Sequence, residues 1–254
     1  GGVRSRHGSC AVPVPSTTSL MSASSALSLT DDRAAHQTRV PGDRARARSW
    51  LAWSVMDDAR APGGPVGVPV TPAAVVFLEG ASDVAAARAL AATREVSLER
   101  VRLVDLGGVT NLRRALARAA EQWPDAQPLG LCDAGEAHVA EGALRARGLA
   151  VRDASDLPAY GFFVCRRDLE EELIRALGTA RTVDVVSRLG LGPKLVALQQ
   201  QPAWVDRPVA EQLHRFCGVA SGRKELLARA LAQALTPDEV PEPLGLLLDR
   251  IAHA

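Results

Sequence analysis

The residues best placed to do chemistry are carboxylates that follow short apolar runs. Val75-Val76-Phe77-Leu78 is long enough for one buried strand and ends on Glu79-Gly80-Ala81-Ser82-Asp83. Leu129-Gly130-Leu131-Cys132 runs into Asp133-Ala134-Gly135-Glu136, and Phe162 to Cys165 runs into Asp168-Leu169-Glu170. In an open α/β sheet, ligands bind beyond the carboxyl ends of the strands, so acids placed there face a site. Hard divalent cations take oxygen ligands, and three acid-loaded strand ends predict a site for them.

Each cluster also has a purely structural reading. Asp83 and Asp168 fall where a helix begins, and an acid there favours the positive end of the helix dipole. Asp133 with Glu136 has the spacing of a helix cap followed by a first-turn acid. Glu171 and Glu172 read as a solvated helix face. Glu79 is harder to dismiss, because an acid that closes an apolar strand beside glycine needs a reason. Lysine is scarce: only Lys194 and Lys224 occur. Lys224 follows Ser221-Gly222-Arg223 at a helix start, the unfavourable end of the dipole for a cation, and so calls for an anionic partner. Gly107-Gly108 opens a turn whose backbone N–H groups could face a phosphate. Arg113, Arg114, Arg118, Arg166 and Arg167 are possible phosphate contacts, although solvated arginines are the commoner case. His138 and His214 read as surface or packing residues, and no Ser or His has triad spacing.

The elements that must position these groups alternate from Pro72 onward. Strands are expected at 73–79, 100–106, 129–132 and 161–165, with a short one at 149–152. Helices are expected at 82–93, from Thr110 or Asn111 to Trp123, over 135–147 and from Asp168 to Gly178, with Ser82 as an N-cap. This βαβ rhythm predicts a mostly parallel sheet flanked by helices. Beyond residue 178 the pattern is helical, near 180–189, 208–216, 221–235 and 243–252. Three regions are therefore expected: a disordered or misassigned extension over 1–70, with Met21 and Met56 as alternative starts; an α/β domain over 71–178; and a helical extension over 179–254 packed on it. The first of these is rich in Ser, Thr, Pro, Gly and Arg, without sustained periodicity.

Composition narrows the classes. The formal net charge is +1 over 254 residues, so no global electrostatic case exists for nucleic acid. Carboxylate sites can still act on it when metal ions offset their charge. Cys10, Cys132, Cys165 and Cys217 lack CxxC spacing, which argues against zinc, and Cys132 and Cys165 read as small buried residues. Nothing suggests a disulfide framework, a signal peptide or a membrane span, so a cytoplasmic location and no membrane partner are expected. No P-loop pattern is present.

Leu78-Glu79-Gly80-x-x-Asp83, followed by Asp133, then Asp168 and Glu170, then Lys224, resembles the Toprim domain, and within it the branch found in OLD-family nucleases. The resemblance covers about residues 73–235. It implies a Toprim-like, Rossmann-like α/β fold with Glu79 and Lys224 as catalytic residues. Glu79, Asp83, Asp133, Glu136, Asp168 and Glu170 would be ligands of Mg2+ or Mn2+, with two ions expected. The family's strict Asp-x-Asp is here Asp133-Ala134-Gly135-Glu136. The function implied is endonuclease-like phosphodiester hydrolysis, on DNA ahead of RNA. OLD proteins normally carry an ATPase ahead of this domain, so a separate ATPase partner is an expectation. Two alternatives remain open: a phosphoryl or nucleotidyl transferase or hydrolase acting on small nucleotides, and a non-catalytic module that binds DNA or an ATPase.

Overall fold

The structure, a computed structural model, describes residues 71–218 and 222–254. Expectations for residues 1–70, for Cys10 and for Ser221 lie outside the described residues. Strand β1 (Ala74–Leu78) leads through Glu79-Gly80 into helix α1 (Ala81–Thr93). Strand β2 (Val101–Asp105) is followed by a 3-10 turn (Val109–Asn111) and α2 (Leu112–Gln122). Strand β3 (Gln127–Cys132) passes through a 3-10 turn (Ala134–Glu136) into α3 (Ala137–Arg145). A longer 3-10 segment (Ala154–Tyr160) precedes β4 (Phe162–Val164) and α4 (Leu169–Leu177). Five more helices follow: α5 (Thr179–Arg188), α6 (Gly192–Gln199), α7 (Val209–Gly218), α8 (Arg223–Gln233) and α9 (Glu242–Ala252).

All four strands are parallel, in the order β2-β1-β3-β4. Alternate β1 side chains point to opposite faces. Ala74, Val76 and Leu78 join a core built with α1 and α4 to α9, whereas Val75 and Phe77 join one built with α2 and α3. With both faces covered, the strand must be apolar throughout, and every residue of β1 is buried. Helix α1 lies along α8, and the contact is made of small or flat positions: Ala86, Ala87 and Leu90 on one helix, Leu227, Ala228 and Leu231 on the other, all buried. Alanines let the two axes approach closely. This pairing brings the N-terminus of α8 to the acid end of the sheet.

Several local expectations are corrected. Ser82 is not the α1 N-cap. Gly80 holds that position, and the Ser82 hydroxyl donates to Asp83 Oδ2 at 3.1 Å. Neither Thr110 nor Asn111 caps α2 through its side chain: both lie in the 3-10 turn, and Asn111 Nδ2 donates to the Leu106 carbonyl at 2.9 Å. Residues 149–152 form no strand. The Arg145 guanidinium takes the Val151 and Arg152 carbonyls at 2.7 and 2.5 Å, so β4 forms at the sheet edge instead. Helix α6 was not expected, because its opening Gly192-Pro193 looks like a break; proline in the first helical turn is in fact compatible with a helix.

Gly130 in β3 marks a tight point. A Cβ there would sit 2.5 Å from the ring of Phe162, which is itself buried. Gly130→Ala should therefore overpack the sheet and destabilise the fold by roughly 1–3 kcal/mol. In thermal unfolding this should appear as a melting point several degrees lower; an unchanged melting point would show that Phe162 can move aside.

Candidate metal centre

Three carboxylates meet above the β1/β3 edge. Glu79, Asp133 and Glu136 each offer an oxygen, and these oxygens lie within 4.8 Å of one another. Backbone pairing places them. The Gly108 N–H donates to the Glu79 carbonyl at 3.0 Å, fixing the residue that leaves β1. Beyond β3, the Ala134 N–H donates to the Arg167 carbonyl at 3.1 Å and the Glu136 N–H to the Asp133 carbonyl at 2.9 Å. The glycine turn serves this scaffold rather than a phosphate: Gly107 N–H is already bound to Asp105 Oδ1 at 2.8 Å and Gly108 N–H to Glu79.

A second group adjoins it. Asp83 on the first turn of α1 and Glu170 on the first turn of α4 are buried, 6% and 5% exposed. Lys224 Nζ lies 3.4 Å from Glu170 Oε1. Burial raises Asp83 to about 6, against the pull of Lys224 and with the push of Glu79 and Glu170. Burial, then the charges of Glu79, Asp83, Asp168 and Glu170, push Asp133 to about 8. Glu136 is raised by burial and by the adjoining Glu79, and Glu170 by burial that Lys224 only partly relieves. Lys224 loses some basicity to burial, but Glu170, Asp83 and Glu79 outweigh this and raise it overall. Glu79, Asp83, Asp133, Glu136, Glu170 and Lys224 thus form one electrostatic unit.

Asp168 stands at the rim and is held differently. Its Oδ1 accepts from the Glu171 N–H at 2.9 Å, which makes it the N-cap of α4. His214 Nε2, on α7, sits 2.6 Å from its Oδ2. His214 is therefore neither a free surface group nor a packing residue. Its partner is 46 residues away in sequence, and no local pattern could have revealed it. Glu172 is also corrected: it is fully buried, accepts from the Arg166 N–H at 2.8 Å and pairs with Arg175. Glu171 is half-buried and 3.2 Å from Arg175. Among the arginines proposed for phosphate, Arg167 is bound to Glu211 at 3.1 Å and Arg114 to Asn111 at 3.1 Å; Arg113, Arg118 and Arg166 are exposed. Cys132, Cys165 and Cys217 are buried free thiols, and burial pushes Cys132 and Cys217 up to about 12, which removes them as nucleophiles.

The donor set fits a hard divalent cation. All three convergent ligands are carboxylates, and Glu136 Oε2 is buried with no hydrogen-bond partner. Such an oxygen, next to two other acids and no bound donor, is costly unless a cation or proton meets it.

The parallel four-stranded sheet, helices on both faces and acids beyond its strand ends make up a Toprim-like α/β fold. Among solved structures, the C-terminal region of the OLD protein of Xanthomonas campestris pv. campestris shares this fold, with a TM-score of 0.55 at 24% identity over 72% of this chain and 93% of that one. The C-terminal region of the Burkholderia pseudomallei OLD protein matches with a TM-score of 0.53 at 17% identity, over 72% and 98% of the two chains. No protein-family model and no curated protein matches the sequence. Among the described residues, no helix is long and apolar enough to cross a membrane.

The raised acids fix a pH dependence. Asp83 and Asp133 keep protons in the folded chain, up to about 6 and about 8, that they lose in the unfolded chain near 3.8. Stability from this source is present at low pH and is lost as pH rises through that window. The cation-free protein should therefore melt lower at pH 8 than at pH 5.5. Asp133→Asn should raise the pH 8 value, by about 2–4 °C for each kcal/mol relieved. Binding of Mn2+ at pH 7 should release protons, seen in calorimetry as an enthalpy that varies with buffer ionisation heat. A melting point that rises between pH 5.5 and 8, or a buffer-independent enthalpy, would contradict this charge arrangement.

Proposed function

We propose that the chain is a metal-dependent phosphodiesterase acting on nucleic acid, with endonuclease-like cleavage. The single observation that carries this reading is the convergence of Glu79, Asp133 and Glu136 on one point beyond the sheet. The shared fold with OLD C-terminal regions supports it. Glu79, Asp133 and Glu136 would hold one divalent ion, and Asp83 and Glu170, with Asp168 at the rim, would contribute to a second. Mg2+ or Mn2+ suits such a set. Bound there, the cations supply charge neutralisation and a water of lowered pKa.

The chain's own residues do the rest. Glu79 and Asp133 come from adjacent parallel strands, so their separation is set by the sheet and needs no reorganisation. Lys224 is a cation that Asp83, Glu136 and Glu170 all feel. Anchored on Glu170 and half-exposed, it can turn toward negative charge that builds on a phosphate. His214 holds Asp168 in one orientation. The acidic cluster repels a free polyanion, so the binding of nucleic acid should depend on a divalent cation. We extend the same reading to partners: DNA first, with a separate ATPase as an associate. We also treat residues 71–178 as the site-bearing unit and 179–254 as the part that supplies His214 and Lys224.

Supercoiled plasmid incubated with Mg2+ or Mn2+ should be nicked by the wild-type chain and not by Glu79→Ala. Lys224→Ala should slow nicking by roughly 10²-fold, and Lys224→Arg by less. Equal nicking by wild type and Glu79→Ala would end this site assignment. Turnover of free nucleotides with no plasmid cleavage would shift the reading to small substrates.

A further inference from the structure

Beside the acid cluster lies a cavity of about 250 Å³, between α4 and α7. Arg167, Glu171, Ile174, Arg175, Ala210 and His214 line it. It adjoins the proposed reaction centre directly, because His214 faces the cavity on one side and bonds Asp168 on the other. Asp168 is in turn one of the charges that raise Asp133.

The chemistry of its wall selects among ligands. At first sight two arginines and a histidine suggest a phosphate. Every one of them is already matched, however: Arg167 by Glu211, Arg175 by Glu171 and Glu172, and His214 by Asp168. The acids outnumber the cations in this group, so a phosphate would meet net negative charge. What the wall leaves unmatched is an acceptor. Glu171 Oε1 is 3.2 Å from Arg175, but Glu171 Oε2 is buried with no hydrogen-bond partner. An unmatched carboxylate oxygen under cover calls for an N–H donor. Arg167, half-exposed, pairs with the solvated Glu211 at 3.1 Å and more loosely with Asp168 at 3.8 Å, and can turn a guanidinium N–H toward an acceptor on the same ligand. Ile174 adds a buried apolar surface. Arg175, 38% exposed, stands beside the Glu171 carboxylate, 3.2 Å from its other oxygen.

We propose that this cavity receives an unpaired nucleobase next to the scissile phosphate, and that it prefers guanine. A base is flat and apolar on its faces, and its edge carries donors beside acceptors. Guanine presents an amino and a ring N–H for the free Glu171 oxygen, and O6 and N7 for a guanidinium, the commonest specific contact to a base. Thymine offers a single ring N–H, with neither an exocyclic amino group nor the paired O6 and N7 acceptors of guanine. Recognition of single-stranded nucleic acid through unstacked bases in this manner is common chemistry. The inference rests on the nucleic-acid reading above and adds a sequence preference to it.

The test uses fluorescein-labelled oligothymidine carrying one central guanine, cytosine or adenine, or none, titrated with the full chain in Ca2+ and followed by anisotropy. The guanine oligonucleotide should bind about tenfold tighter than oligothymidine. Glu171→Gln should erase most of that preference. Ala210→Phe, which fills the cavity from exposed α7 without touching Glu171, should erase it too. Both variants should still bind Mn2+ and keep plain oligothymidine affinity within about twofold, since neither alters the acid cluster. Equal binding of all four oligonucleotides, or a guanine preference that survives both variants, would overturn the base site while leaving the nuclease reading intact. No binding of any oligonucleotide, together with no plasmid nicking, would remove both.

Discussion

Like charges brought together out of water repel strongly, and the rest of this structure is arranged around that cost. Glu79, Asp133 and Glu136 sit within one cation's reach, with Asp83 and Glu170 buried alongside. Nearby positive charge among the described groups comes chiefly from Lys224, which cannot balance five acids. The protein meets the deficit by holding protons, as the raised Asp83 and Asp133 indicate. Divalent cations would displace those protons. Nothing in the stability of a sheet requires such a cluster.

Topology explains why the acids meet where they do. The strand order β2-β1-β3-β4 places β2 on one side of β1 and β3 on the other. The chain direction across the sheet therefore reverses between β1 and β3, which opens a crevice at their carboxyl ends. Glu79 leaves β1 and Asp133 leaves β3 at this switch point. Helix α8 reaches the same crevice because alanines let it lie against α1. The α4–α7 contact brings in Asp168 and His214. Gly108, after β2, fastens the Glu79 backbone.

Much of this was legible from residue order. The apolar runs of β1, β3 and β4 stand out because strands covered on both faces must be apolar, and the acids that follow them are visible for the same reason; the edge strand β2 carries Arg102 and is mostly half-buried. Helix ends were harder: Ser82 looked like a cap, yet the chain turns at Gly80, one residue before the helix, and frees the serine to bond Asp83. Residues 149–152 have strand composition, but Arg145 claims their carbonyls. The burial of Glu172 and the His214–Asp168 pair could not be read, since each depends on groups that only the folded chain brings close. The same holds for the cavity beside His214, whose walls come from two helices far apart in sequence.

Anomalous diffraction from crystals soaked in Mn2+ would test the central claim most directly. The account predicts a manganese peak bonded to carboxylate oxygens of Glu79, Asp133 and Glu136. A fully soaked crystal with no peak there, or with manganese held only elsewhere on the surface, would contradict it.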